Sequence, residues 1–96
     1  MNKPTALATI VNGEQAVTIY ALALVLNVHP DDLPNTIEAD DLPTELRQRA
    51  YRRGQEAKAH GAAKGIVAAA TYYAQTEHNA TIYTDNNGTT WMYPGL

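Results

Sequence analysis

The sequence predicts an α+β domain with a β-hairpin at each end of the chain and helices between. Three observations carry this. Short strand-like runs flank turn residues in both 7–17 and 80–94; the segment Ile19 to Leu26 is apolar nearly all round; and residues 44 to 77 contain no proline and are rich in Ala, Glu, Gln, Arg and Leu, which are strong helix formers. At 96 residues the chain predicts a single domain, 1–96.

The first hairpin is read from Leu7-Ala8-Thr9-Ile10-Val11 and Glu14-Gln15-Ala16-Val17, joined by Asn12-Gly13, the dipeptide best suited to a type I′ turn. Thr18 is placed to cap the following helix, and Asn27 suits the left-handed residue that ends it. Pro30 fits the first position of a second, short helix with Asp31 and Asp32 at its positive end, and Pro34 stops it early. A start signal at Asp41-Leu42-Pro43-Thr44-Glu45 opens the long helical stretch. Unbroken, that helix would be about 50 Å long, whereas a domain of this size has a radius of gyration of about 13 Å, so a break is expected near His60-Gly61. The second hairpin comprises 80–84 and 89–94 around Asp85-Asn86-Asn87-Gly88. A four-residue loop would set Ile82 opposite Trp91 and Ala80 opposite Tyr93.

Composition narrows the chemistry. There is no cysteine and no serine, which removes disulfides, thiolate metal sites and both common nucleophiles. His29, His60 and His78 stand in no metal-ligand spacing, Asp85 to Gly88 lacks the alternating acids of a calcium loop, and no glycine-rich phosphate loop occurs. A non-enzymatic protein without a cofactor is therefore expected. Lacking a long apolar run and a basic-then-apolar leader, the sequence is expected to be soluble and cytoplasmic, with no membrane partner. Its core is light: 16 residues are alanine, only 18 are Leu, Ile or Val, and none is Phe, which points to close helix packing or a second subunit.

The net charge of −3 hides two opposed blocks. Residues 31 to 45 carry Asp31, Asp32, Glu38, Asp40, Asp41 and Glu45 with no base, whereas 47 to 64 carry Arg47, Arg49, Arg52, Arg53, Lys58 and Lys64 against Glu56 alone. Within residues 19–33, Leu22, Leu26, Val28 and Leu33 are spaced to be buried around Asn27, with small Ala23 where two helices meet. This segment resembles the helix-turn-helix of phage and bacterial repressor-like regulators, particularly its Leu-x-Val-x-Pro-x-x-Leu variant. The resemblance implies that the second helix enters the major groove of double-stranded DNA and that His29, Asp31, Asp32 and Asn35 reach base edges. Asp31, Asp32 and Pro34 depart from that pattern, by charge and by shortening the helix.

Two further surfaces are read from helical spacing. Arg49, Arg52, Arg53 and Lys64 fall within an arc of about 120° that could line phosphates, on the face that also carries His60. Ala50, Gly54, Ala57, Gly61, Gly65 and Ala68 fall within about 80° and form a small-residue stripe where the helix of a homodimer partner could pack. The expected function is a small regulatory protein, of the sort phages and mobile elements encode, that binds nucleic acid through the corner and the basic helix. The alternative is a protein-binding adaptor or inhibitor of a host factor, acting through the acidic 31–45 segment and the aromatic C-terminal hairpin.

Overall fold

Residues 3–33 and 43–96 are described by the computed structural model. Strands β1 (Thr5–Val11) and β2 (Glu14–Val17) form the first hairpin, with Val11 paired to Glu14. Asn12 at φ 53° and Gly13 at φ 81° give the type I′ turn that the dipeptide predicts. Thr18 then does two jobs at once: its hydroxyl accepts from the Ala21 N–H and donates to the Ala6 carbonyl at 2.7 Å, tying the helix start to β1. Helix α1 (Ile19–Leu26) follows, buried from Ala21 to Leu26, and ends at Asn27 with φ 56°. The Val28 N–H reaches back to the Ala23 carbonyl at 3.1 Å, closing the left-handed cap.

The second helix of the corner is, among the described residues, one 3-10 turn over Pro30–Asp32. Three of the four apolar positions expected to be buried in the corner are buried, and Val28 is not fully so. Leu22, Leu26 and Leu33 are buried with Ala23, and half-buried Val28 joins them beside Ile19, Leu46 and Ala50.

The long helical stretch breaks where expected. Helix α2 (Thr44–Ala59) is capped at His60, and helix α3 (Ile66–Glu77) starts after Gly65. Gly61 and Gly65 adopt φ of 101° and 116°, conformations that a side chain rarely tolerates, so the glycines make the turn between helices. The folded-back pair fits a radius of gyration of 12.7 Å.

Strands β3 (Thr81–Thr84) and β4 (Thr90–Tyr93) form the second hairpin, but its register differs from the expected one. Ile82 faces Met92, Tyr83 faces Trp91 and Thr81 faces Tyr93. The loop is the cause: Asp85 N–H bonds to the Thr89 carbonyl and Gly88 N–H to the Asp85 carbonyl, with Gly88 at φ 83°, so three residues turn the chain rather than four. Asp85 holds this loop. Its carboxylate accepts from the Asn87 and Thr89 N–H groups and from Trp91 Nε1, and the Trp91 bond with those backbone bonds keeps its pKa below the usual 3.8.

The two hairpins join through antiparallel β1 and β4 into one sheet of order β2-β1-β4-β3, with a bulge between Ala6 and Ala8. One face is covered by the helices. Leu7, Ala80 and Met92 pack there against Ala21, Leu24, Val25, Ala57, Ala69, Ala70, Tyr73 and Ala74. Alanine at so many of these positions lets helix backbones approach closely, and this answers the light aliphatic core within the chain itself. The alternation of strand side chains turns Tyr83, Trp91 and Tyr93 to the opposite, open face.

Candidate nucleic-acid interface

Helix α2 lies over α1 and α3, and its inward side is set by Leu46, Ala50, Arg53 and Ala57, which recur at helical spacing. An arginine on that side is used by the fold. Arg53 Nε donates to the Val25 carbonyl, and its Nη2 donates to the Leu24 carbonyl at 3.1 Å and to Glu77 Oε1 at 2.7 Å. Its guanidinium stacks 3.8 Å from the centre of the Tyr73 ring, while Tyr73 Oη donates to the Arg53 carbonyl at 2.7 Å. Arg49 similarly donates from Nη1 to the Leu26 carbonyl at 3.3 Å. Both cations thus satisfy the last carbonyls of α1, where the helix dipole is negative. Burial pushes the Tyr73 phenol above its usual pKa, with the Arg53 charge opposing it.

The outward side of α2 is different. Thr44, Arg47, Gln48, Tyr51, Arg52, Gln55 and Lys58 are all exposed, Tyr51 at 69%. At about 100° per residue, Gln48, Tyr51 and Gln55 form the crest, Arg47 and Lys58 one flank and Arg52 the other. No acid lies within this arc; Glu45 and Glu56 fall beyond Arg52. Among the described residues Arg53 pairs with Glu77, and no outward cation of α2 is in an ion pair.

The basic arc read from the sequence is therefore divided. Arg49 and Arg53 turn inward, Arg52 turns outward, and Lys64 is not on the helix at all but in the connection to α3. The small-residue stripe also fails as one surface. Ala50, Gly54 and Ala57 lie on α2, with Ala57 fully buried in the chain's own core; Gly61 and Gly65 form the turn; Ala68 is half-buried on α3. No single helical face remains there for a second subunit. His29, Asp31 and Asp32 are exposed at the corner, where the Asp31 N–H donates to His29 Nδ1 at 3.1 Å. Asn35 lies outside the described residues.

The charge run includes Arg47 and Lys58 but does not by itself group them with Gln48, Tyr51 and Gln55 on the outward side. The signal was present in Leu46, Ala50 and Ala57, whose spacing marks what faces the core and so what faces away.

A cleft of 750 Å³ runs beside α1, with Tyr20, Asn27, His29, Asp31 and His78 on its walls. Among the described residues no three His, Asp or Glu side chains are grouped to hold a metal ion, and no helix is long and apolar enough to cross a membrane. No protein family, curated protein or solved structure matches the chain.

Proposed function

We propose that this chain is a small, non-enzymatic regulatory protein that binds duplex DNA through the outward side of α2. The supporting observation is the layout of that side: polar groups able to meet base edges run along the crest, with cations on both flanks and no acid between them. A helix lying in the major groove meets a phosphate wall on each side, so cations are needed on both flanks. The helix-turn-helix-like corner acts as the scaffold that sets α2, since Leu22, Leu26 and Leu33 pack with Leu46 and Ala50. This reading places the protein in the cytoplasm with its target. A pair of copies bound about a twofold axis would match a palindromic site.

Fluorescence anisotropy with a short duplex at a series of salt concentrations tests the reading. Affinity should fall steeply as salt rises, and the triple variant Arg47→Ala, Arg52→Ala, Lys58→Ala should lose both affinity and slope. Unchanged binding by the folded variant overturns the proposal.

A second reading rests on the open sheet face, where Tyr83 and Tyr93 are 43% and 48% exposed and Trp91 is tied to the hairpin loop by its bond to Asp85. Aromatic groups of this kind favour protein contacts, as an adaptor or host-factor inhibitor would use. Binding to a protein there would be insensitive to the α2 cations and sensitive to Tyr83→Ala.

A further inference from the structure

Where α2 crosses the end of α1, a second recess of 480 Å³ opens, lined by Leu26, Asn27, Arg49, Arg52, Arg53 and Glu56. Three arginines of one helix line a single cavity, and the guanidinium groups of two are already anchored. An arginine has five N–H donors. Arg53 uses its Nε and both hydrogens of Nη2 on the Val25, Leu24 and Glu77 acceptors, which leaves the pair on Nη1. Arg49 uses one hydrogen of Nη1 on the Leu26 carbonyl and keeps the rest. Fixing these side chains in advance lowers the entropy lost when a ligand takes the remaining donors.

The geometry points to a pocket for one phosphodiester group of a nucleic-acid strand, a contact separate from the α2 crest although it builds on the DNA reading above. Charge selects the ligand. Among the described residues Glu77 already neutralises Arg53 at 2.7 Å and Glu56 on the wall offsets one of the remaining two arginines, so the side chains leave about one positive charge, part of which the negative end of α1 offsets. That balance matches a singly charged diester better than a doubly charged phosphate monoester. Continuity selects the source. Arg52 lines both this recess and the shallow surface formed by Thr44, Arg47, Gln48 and Tyr51, so a backbone laid along the outward side of α2 passes the mouth of the pocket.

The test follows the arginine Nε–Hε resonances of the full chain by NMR during titration with a thymidine dinucleotide, which has one phosphodiester. The Arg49 and Arg52 signals should shift and saturate, and the neutral methylphosphonate analogue should leave them in place. Glu56→Gln, an exposed change that spares the anchoring bonds, should tighten dinucleotide binding by about threefold or more. No shift with the dinucleotide overturns the pocket, as does an equal response to the neutral analogue. Equal shifts with acetate or an acidic peptide at matched ionic strength assign the recess to carboxylates and overturn it too. Duplex binding through Arg47, Arg52 and Lys58 without a dinucleotide response removes the pocket and leaves the α2 reading. A dinucleotide response without duplex binding supports the pocket and removes that reading.

Discussion

The two sides of α2 carry the same residue type for opposite purposes. On the inward side Arg53 has a side chain 16% exposed, bonded to two carbonyls and a carboxylate and stacked on an aromatic ring. On the outward side Arg52 is exposed, and among the described residues Arg47 bonds to Thr44 on its own helix at 3.3 Å. The inward arginine closes a problem created by the fold, because the Leu24 and Val25 carbonyls at the end of α1 meet its donors and Glu77 of α3 supplies the opposing charge. Among the described residues the outward arginines meet no acceptor outside their own helix. A cation the fold has no use for is the better candidate for a ligand, and a run of basic residues in sequence does not distinguish the two.

The largest effect expected from breaking this contrast is on the inward side. Arg53→Ala should lower the free energy of unfolding by about 2–4 kcal/mol, since it removes the side-chain donor from the Val25 carbonyl and from Glu77 and one of the two donors from the Leu24 carbonyl; the partial exposure of Glu77 keeps the loss below that of a fully buried pair. Urea denaturation measures it, and a loss under about 0.5 kcal/mol would remove Arg53 from the fold's support. Arg53→Lys should recover only part, because an ammonium cannot span the three acceptors as a planar fork does.

Tyr73 gives a smaller effect and a pH signature. Tyr73→Phe loses the bond to the Arg53 carbonyl and should cost about 1 kcal/mol. The phenol's pKa is raised in the folded state above 10.0, so its contribution is complete below the unfolded value and disappears as pH rises through the folded one. Urea midpoints taken from pH 9 upward should therefore fall more steeply for the wild type than for Tyr73→Phe; parallel curves would show that this phenol does not govern the alkaline limb.

Local chemistry was legible where it depends on one or two residues. Asn12-Gly13, Thr18, Asn27 and the His60-Gly61 break each act through their own backbone preference, and each appears in place. The C-terminal register was not, because Asp85 to Gly88 is compatible with loops of different length, and the choice was made by a carboxylate that gathers Asn87, Thr89 and Trp91. The candidate site was legible as a charge run but not as a surface. Alanine occurs on the inward and outward sides of α2, as at Ala57 and Ala59, so it weakly marks burial; the true inward stripe includes an arginine, whose acceptors lie on α1 some 28 residues away and have no signature in the α2 sequence.

The smallest stability effect is expected on the outward side, and it sharpens the comparison most. Arg52→Ala and Arg47→Ala should each change unfolding free energy by no more than about 0.5 kcal/mol, because surface substitutions away from caps and buried networks remove nothing the fold relies on. Arg47→Ala loses only an exposed bond to Thr44, and alanine's higher helix propensity offsets it. The same variants should weaken duplex binding, each reducing the steepness of its salt dependence by about one phosphate contact. The two measurements separate the sides of α2 without relying on either alone: Arg53→Ala should move the urea midpoint, whereas Arg52→Ala should leave it in place and move the salt slope. A destabilisation by Arg52→Ala approaching that of Arg53→Ala would mean that the outward cation also supports the fold, and the division between structural and ligand-facing arginines would collapse.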